Sequence, residues 1–353
     1  MNWMNNGKRP VLIAGPCSAE TEEQVIQTAT RLFRTGKVDI LRAGIWKPRT
    51  RPGAFEGIGT KGLPWLQKAK ELTGLPVAVE VAKASHVERC LEFGIDILWI
   101  GARTTVNPFA VQEVADALKG VDIPVLLKNP INPDLSLWLG GMERLQNSGL
   151  TRLGAIHRGF SFSGEKIYRN RPQWQIAIDF KTAMPDIPMI NDPSHICGNR
   201  ELLFKVAQKA MDLDFDGLIM ESHITPDTAW SDAAQQLTPE DYGKLIESLV
   251  IRDDKNTGKE KTKLDRLRKE IDMIDEEIMN ILASRMKISR EIGQYKKENN
   301  MTILQSERWK EVLQKYIDRG AQGGLGADFI SRVIKSIHDE SIEQQEKVMI
   351  GEA

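Results

Sequence analysis

A thiol, an imidazole and two carboxylates have the chemistry of a metal site. They are Cys17, His195, Glu221 and Asp232. Sulfur, nitrogen and oxygen donors together suit a borderline divalent ion, and the sequence leaves Mn²⁺, Fe²⁺, Co²⁺ and Zn²⁺ open. Each residue taken singly has an ordinary alternative, because a lone cysteine is usually part of a core and lone acids are common on surfaces.

Five cationic side chains occupy the same part of the chain, each within or after a short apolar segment. They are Arg42, Lys47, Arg103, Lys128 and Arg158. A single arginine in such a place usually forms a surface ion pair. Five cations brought together would repel each other and gain little stability from the arrangement. Because arginine forks match carboxylate and phosphate groups, the set predicts a site for a polyanion.

Eight apolar segments must position these residues. Segments that are apolar throughout are typical of strands buried on both faces, as in parallel sheets. They are Val11–Gly15, Asp39–Gly44, Val77–Val81, Ile97–Ala102, Pro124–Asn129, Gly154–Phe160, Met189–Asp192 and Gly217–Glu221. Helical spacing between them predicts a closed (β/α)₈ barrel, with an open doubly wound sheet as the rival. In a barrel the strand ends meet at one mouth, where the residues above and Glu80 of the third strand would face each other.

The chain changes pattern after residue 251. Arg252–Lys263 has no apolar residue and is predicted to be a charged linker or the exposed end of a helix. From Leu264 to Ile292, apolar residues recur at alternating spacings of three and four, which predicts one long helix. Two shorter helices are predicted at Ser306–Arg319, with Gly320 as C-cap, and at Ala327–Val348.

Polar residues interrupt the apolar stripes of these helices. Arg285 stands on the stripe of the long helix, and Ser341 and Gln345 continue that of the third helix. Arg285 has an alternative explanation as a register-fixing residue of a coiled-coil dimer, and the other two as a solvated helix end. The functional interpretation is an internal pocket for an anion, lined by polar residues from facing stripes.

Composition narrows the class of protein. The 353 residues carry a formal net charge of -1, which gives no indication of binding to nucleic acid or to a membrane surface. No stretch reaches the ~18 apolar residues of a membrane span, and the N-terminus lacks the apolar segment of a signal peptide. Three cysteines do not suggest a disulfide framework, so we expect a cytoplasmic protein. The length of 353 residues favours two domains.

Seven runs, in order along the chain, resemble the DAHP synthase family, in the branch related to 3-deoxy-manno-octulosonate 8-phosphate synthase. The resemblance spans roughly residues 10 to 250, and its runs are Ile13–Ser18, Leu41–Gly44, Lys47–Thr50, Ile100–Arg103, His157–Gly159, Asp192–His195 and Ser231–Leu237. The Lys-Pro-Arg-Thr run at Lys47–Thr50 favours the DAHP branch. One departure is Lys128-Asn129-Pro130, where many relatives have Lys-Arg-Gly.

This resemblance implies an enzyme that condenses phosphoenolpyruvate with erythrose 4-phosphate and water. It implies that one divalent metal ion is bound by Cys17, His195, Glu221 and Asp232. For phosphoenolpyruvate it implies carboxylate binding by Arg42, Lys47 and Lys128, and phosphate binding by Arg103 and Arg158. Ala102 would also belong to the substrate-binding residues. The phosphate of erythrose 4-phosphate would be held by Arg49 and Thr50, and Glu80 would lie near the reacting water.

The three C-terminal helices resemble the all-helical chorismate mutases. The matching positions are Leu267–Asp272, Arg285, Ile292–Lys296, Arg308, Ser341 and Gln345. The resemblance implies that chorismate is rearranged to prephenate without a metal or other cofactor. The substrate would be bound by Arg285, Arg308, Ser341 and an Arg268 reaching in from a partner chain, and its ether oxygen contacted by Lys296 and Gln345. Gln305 and Trp309 depart from the relatives, which commonly have Asp and Glu there.

The expected domains are a DAHP synthase barrel at 1–251, a charged linker at 252–263 and a helical chorismate mutase at 264–353. We expect a bifunctional shikimate-pathway enzyme that forms a homodimer through its helical domain, with further pairing into a tetramer left open. We also expect feedback inhibition by prephenate or chorismate through that domain. The alternative is a monofunctional DAHP synthase whose helical domain only senses a ligand.

Overall fold

The computed structural model of the chain describes residues 10–47, 53, 55–252, 259–304 and 306–351. The chain divides into two compact units, Met1–Arg252 and Asp253–Ala353.

The first unit is a closed barrel of eight parallel strands in the order β1 to β8. This confirms the predicted (β/α)₈ barrel and excludes the open sheet. The strands are β1 Val11–Gly15, β2 Ile40–Ala43, β3 Val77–Val81, β4 Ile97–Ile100, β5 Val125–Lys128, β6 Leu153–His157, β7 Met189–Asn191 and β8 Gly217–Glu221.

Three strands have the predicted bounds, and most of the others are shorter than predicted. The largest shift is in β6, which begins at Leu153 and ends at His157, before the predicted end at Phe160. Arg158 therefore follows the strand instead of lying in it, at the base of the loop over the barrel mouth.

Helices surround the strands of this unit. They are α1 Glu22–Arg34, α2 Leu63–Thr73, α3 Ala84–Glu92, α4 Ala102–Thr105, α5 Pro108–Ala117, α6 Leu135–Asn147, α7 Trp174–Ala183, α8 Pro193–Cys197, α9 Leu203–Asp212 and α10 Pro239–Ser248. Side-chain caps fix where several begin. The Thr21 hydroxyl accepts from the backbone N–H of Gln24 at the start of α1, and Asp134 accepts from that of Leu137 at the start of α6.

Two apolar layers explain why the strands carry few polar residues. Alternate strand residues fill the inside of the barrel, among them Ile13, Trp99 and Ile219. Their neighbours along the strands, such as Leu98 and Leu218, pack outward against the helices. Because both faces are buried, the alternation of polar and apolar residues seen in half-exposed strands is lost.

The pairing of β1 with β8 closes the barrel, and we refer to it as the closing seam. The register pairs Val11 with Gly217 at one end and Gly15 with Glu221 at the other. A Cβ atom at Gly217 would lie 2.4 Å from the carbonyl oxygen of Val11, and one at Gly15 would lie 2.0 Å from that of Arg42. Glycine at position 217 therefore allows β8 to approach β1 at the seam, and glycine at position 15 allows β1 to approach β2.

The second unit consists of three helices, α11 Lys259–Glu298, α12 Ser306–Gln322 and α13 Ala327–Ile350. The long helix begins at Lys259, so the last part of the charged run is the end of a helix, which was one of the two alternatives left open for it. The end of the second helix differs from the prediction. The second helix continues through Gly320 to Gln322, so this glycine is not a C-cap. A Cβ atom at Gly320 would lie 2.5 Å from Ile330 Cγ1, so glycine here allows α12 and α13 to pack closely.

An apolar stripe on α11 is exposed. Leu267, Ile271, Ile274 and Ile278 are between 41% and 57% accessible. A contiguous apolar surface of this kind usually marks an interaction site. Among the described helices, none has both the length and the apolar character needed to cross a membrane.

Candidate functional site

Four predicted ligand residues meet at the barrel mouth. Cys17, Glu221 and Asp232 each place a ligand atom so that all three atoms lie within 4.8 Å of one another. Cys17 Sγ lies 3.3 Å from Asp232 Oδ2. His195 joins them through Nε2, which lies 3.7 Å from Glu221 Oε1. The structure thus brings together a mixed sulfur, nitrogen and oxygen set from the loop after β1, α8, β8 and the loop after β8.

Glutamine side chains hold this cluster across the closing seam. Gln236 Oε1 accepts from the backbone N–H of Cys17 at 2.9 Å. Gln235 Nε2 donates to Glu221 Oε2 at 2.6 Å. Asp232 itself has a left-handed backbone with φ of 50°, which is uncommon for a residue other than glycine. The loop is therefore held in a shape that turns the Asp232 carboxylate toward Cys17.

Burial and opposite charges set the protonation of the cluster. Burial, reinforced by Glu221, raises the pKa of the Cys17 thiol to about 12. Burial also acts to raise the pKa of Asp232, but Arg169 and His195 reverse this effect and hold it below its ordinary value. Burial lowers the pKa of His195, with Asp192 opposing the shift. The cluster therefore contains two carboxylates, a neutral imidazole and a thiol that a bound cation would help to ionise.

The residues fit a divalent ion. Glu221 Oε1 is buried and, among the described residues, has no hydrogen-bond donor in good geometry, although Arg42 Nη1 lies 3.3 Å away. Buried carboxylate oxygens without a donor are costly and rare. An ion between the four side chains would satisfy this oxygen.

The predicted cations surround the cluster at different depths. Arg42 is buried beneath it and donates through Nη2 to the carbonyl oxygen of Cys17 at 3.2 Å. Lys47 Nζ lies 3.2 Å from Cys17 Sγ. Lys128 and Arg158 are buried, whereas Arg103 is exposed.

These groups enclose a small space at the mouth. Its volume is about 50 Å³, and its lining includes Lys47, Ala102, Arg103, Lys128, Arg158, His195 and Asp232. Among the described residues, its lining is rich in cations, which suits an anionic substrate.

Glu80 faces the same space from β3. A Cβ atom at Gly101 would lie 2.1 Å from Glu80 Oε1, so glycine at this position makes room for the carboxylate. Arg49 and Thr50, the predicted phosphate ligands, lie outside the described residues.

Two important side chains were not predicted from the sequence. Arg169 pairs with Asp232 Oδ1 at 3.0 Å and donates to Gln235 Oε1 at 2.7 Å. Asp192 contacts both Lys128 and His195. Asp192 lies in one of the runs that carry the resemblance, but Arg169 has no such signal, because it comes from the long loop between β6 and α7.

A further buried residue next to the site is His157, which precedes Arg158 in the chain and is neutral. His157 is fully buried, and its Nε2 lies 2.6 Å from the carbonyl oxygen of Pro172. Asn191 Nδ2 lies 3.1 Å from Nδ1. An amide nitrogen can only donate and a carbonyl oxygen can only accept, so the ring carries its proton on Nε2. Burial lowers the pKa of His157 to about 4.

The helical unit contains a second cavity, of about 530 Å³. Among its lining residues are the cations Arg285, Lys296, Arg308 and Lys315, and no carboxylate belongs to the described lining. Lys296 Nζ lies 3.0 Å from Gln345 Oε1, and Arg285 Nη1 contacts the Ser341 hydroxyl. The charge of this cavity suits an anion with more than one acidic group.

Other predicted residues of this site lie differently. Arg268 is not among the lining residues, and its side chain is 67% exposed and faces Asp265. Trp309 lines the cavity and stacks on His338, with ring centroids 3.9 Å apart. Gln305 lies outside the described residues. Lys315, His338 and Tyr316 are lining residues that the sequence analysis did not identify.

Comparison with known proteins finds one family for the barrel and another for the helical unit. Residues 3–257 match the DAHP synthetase I family. The chain belongs to this family. Residues 267–346 match the family described as chorismate mutase type II. The two domains together indicate a bifunctional enzyme of the shikimate pathway with transferase and isomerase activities.

Individual relatives cover the barrel. The phospho-2-dehydro-3-deoxyheptonate aldolase of Thermotoga maritima is 34% identical over 238 residues, which are 67% of this chain and 68% of the relative. A crystal structure of that enzyme from Thermotoga maritima, at 32% identity, has a TM-score of 0.61 and covers 69% of this chain and 68% of its own. The 2-dehydro-3-deoxyphosphooctonate aldolase of Syntrophotalea carbinolica is 27% identical, over 70% of this chain and 92% of the relative.

His157 predicts how the stability of the DAHP synthetase I barrel depends on pH. Its folded-state pKa lies below that of the unfolded chain, so the unfolded state binds more protons between pH 6.5 and about 4. The free energy of unfolding should fall as the pH is lowered through this window, by up to about 3 kcal/mol from this residue. Urea unfolding of the wild type and of His157→Gln, followed by tryptophan fluorescence at several pH values, should show a weaker pH dependence in the variant. Equal pH dependence in both proteins would contradict the assignment.

Proposed function

We propose that the barrel mouth condenses phosphoenolpyruvate with erythrose 4-phosphate and water, releasing DAHP and phosphate, with one divalent metal ion bound by Cys17, His195, Glu221 and Asp232. The observation that carries the proposal is the contact between this donor set and the cation cluster. Lys47 is within 3.2 Å of the Cys17 thiol, and the cations Arg103, Lys128 and Arg158 line the same space.

The proposed roles are those that the family resemblance implies for these positions. Arg103 and Arg158 are assigned to the phosphate of phosphoenolpyruvate, and Lys47 and Lys128 to its carboxylate. Arg42 is assigned to the same carboxylate. Its guanidinium contacts Glu221 and the carbonyl oxygen of Cys17, which hold it at the base of the site. Arg49 and Thr50 are assigned to the phosphate of erythrose 4-phosphate.

The chemistry needs both substrates held in register. When bound, the metal ion acts as a Lewis acid that polarises the aldehyde of erythrose 4-phosphate. C3 of phosphoenolpyruvate forms a bond to the aldehyde carbon, and positive charge develops at C2. The former aldehyde oxygen takes up a proton and becomes a hydroxyl, while water adds at C2 and Glu80 accepts one of its protons. The C2–O bond to phosphate then breaks as the C2 hydroxyl loses its remaining proton, which leaves the ketone of DAHP and free phosphate. The cations hold two anions that would otherwise repel each other, which is a contribution of proximity and of electrostatics.

The metal assignment predicts a spectroscopic difference between cysteine variants. Co²⁺ added to chelator-treated wild type should produce a thiolate-to-metal absorption band, and Cys17→Ser should abolish this band. It should also lower Co²⁺ affinity by more than the roughly 10–100-fold that loss of an outer-sphere partner costs. Phosphoenolpyruvate consumption should stop with chelator in the wild type.

Cys90→Ser is the matched control, because Cys90 is a buried free thiol of the core. It should keep both the band and the affinity. A wild type that binds no Co²⁺, or a Cys17→Ser variant that retains the band, would contradict the proposed metal site.

The second proposed activity is the rearrangement of chorismate to prephenate in the cavity of the helical unit. Its support is a lining with four cations and no described carboxylate, suited to a dicarboxylate substrate. Arg285, together with an Arg268 from a partner chain, is assigned to the two carboxylates, and Arg308 and Ser341 are assigned to supporting the substrate. Lys296 and Gln345, which already contact each other, are assigned to the ether oxygen, where negative charge develops as the bond breaks.

Arg285→Ala should lower kcat/KM for chorismate by roughly 10²–10³, the usual cost of removing an electrostatic donor to a transition state. Chelator should leave this activity unchanged. Arg290→Ala is the control, because Arg290 lies on the same helix but bonds to Gln344 outside the cavity lining. Chorismate loss followed by absorbance measures both variants, and an unchanged rate in Arg285→Ala would contradict the assignment.

Trp309 favours a second candidate function for this cavity, a ligand sensor that regulates the barrel. An indole stacked on His338 occupies the wall where related mutases commonly have a carboxylate. Calorimetric binding of chorismate without its consumption would support the sensor. Regulation in either case requires that prephenate or chorismate change the rate of phosphoenolpyruvate consumption, which a titration at saturating ligand measures.

We also propose a homodimer formed by the exposed stripe of α11. A second copy would cover this apolar surface, and it would supply Arg268, which lies outside the cavity of its own copy.

A cytoplasmic location fits the three free, buried cysteines.

The dimer predicts an effect that depends on the face of the helix. Ile274→Glu places a charge on the stripe and should give a monomer with reduced mutase activity in sedimentation and activity measurements. Met279→Glu is the control, because Met279 is 60% exposed on a different face of α11. A wild-type monomer, or two variants with equal sedimentation, would contradict the proposed interface.

A further inference from the structure

We propose that Asp192 is a positioning residue that couples the metal site to the phosphoenolpyruvate site through a single carboxylate oxygen. The proposal rests on the function proposed above. It goes beyond the ligand and cation assignments, which do not include this residue.

Asp192 has no solvent exposure and contacts both sites. Its Oδ2 accepts from Lys128 Nζ at 2.9 Å. The same oxygen lies 2.9 Å from His195 Nδ1, which is ion-pair distance but not good hydrogen-bond geometry. Its Oδ1 caps α8 by accepting from the backbone N–H of His195 at 3.1 Å. One side chain therefore fixes a metal-ligand residue by two contacts and a substrate-binding cation by a third.

The contact with the ring determines which nitrogen of His195 can bind a metal. An ionised carboxylate is only an acceptor, so it favours the neutral ring that carries its proton on Nδ1. Nε2 then has its lone pair free, and it is Nε2 that faces Glu221 at 3.7 Å. Carboxylates that orient ligating histidines in this way are a recurrent feature of metal sites.

The contact with Lys128 has a different consequence. Lys128 is 4% exposed, and a buried ammonium is costly without a carboxylate partner. Asp192 pairs with this cation and holds it in place at the end of β5 before any substrate binds. When the substrate carboxylate arrives, it meets an ammonium that is already oriented.

Asp192→Asn tests both consequences with an almost identical shape. The variant keeps an oxygen for the helix cap but replaces Oδ2 by an amide nitrogen, which donates. That group should shift the proton of His195 to Nε2 and repel Lys128. We expect Co²⁺ affinity to fall roughly 10–100-fold, and phosphoenolpyruvate binding to chelator-treated protein, measured by calorimetry, to weaken as well.

Asp134→Asn is the matched control. Asp134 caps α6 by the same kind of bond, at 2.9 Å to the backbone N–H of Leu137, and it belongs to neither site. This variant should retain wild-type affinity for both ligands.

Histidine NMR of the wild type provides a measurement that does not depend on whether the variant folds. The ¹⁵N spectrum of chelator-treated protein should show His195 protonated on Nδ1, with His195→Gln identifying its signal among the five histidines. Protonation on Nε2, or a folded Asp192→Asn variant with unchanged Co²⁺ and phosphoenolpyruvate affinity, would overturn the inference. Failure of the wild type to bind Co²⁺ would instead overturn the proposed metal site.

Discussion

The closing seam between β1 and β8 is the constraint on which the active site depends. Cys17 stands on one side of the seam, and Glu221 and Asp232 stand on the other. Strand pairing alone brings Glu221 to the level of Gly15, and the Gln236 side chain extends the contact above the strands by binding the backbone of Cys17. The donor set is therefore a product of barrel closure and has no counterpart within any local segment of the chain.

Charge balance within a dry site is the second theme of the structure. Arg42, Lys128 and Arg158 are buried cations, and a group of like charges at this depth is stable only if carboxylates accompany them. Glu221 and Asp192 provide that compensation in the absence of substrate. Two of the three buried cations, Arg42 and Lys128, are therefore already paired with carboxylates in the absence of substrate.

Much of this arrangement could be predicted from the sequence, for physical reasons that also define what could not. The barrel was predictable because strands buried on both faces leave uninterrupted apolar segments, and the ligand and cation residues because they lie at the ends of those segments. Arg169 was not predictable, since it comes from a long loop whose path no periodic pattern constrains. The end of α12 was predicted wrongly because glycine serves equally as a helix terminator and as a point of close packing, and only the contact with Ile330 distinguishes the two. The pocket of the helical unit was predicted in part, because Lys315 and His338 lie on helix faces that the apolar stripe does not mark.

The wide separation of Cys17 and Asp232 along the chain, 215 positions, has a consequence for the life of the protein before it is complete. During translation the thiol emerges from the ribosome early, while the carboxylates that complete its site have not yet been synthesised. The proposed metal site can therefore be assembled only after the last barrel strand and the loop that carries Asp232 have been synthesised.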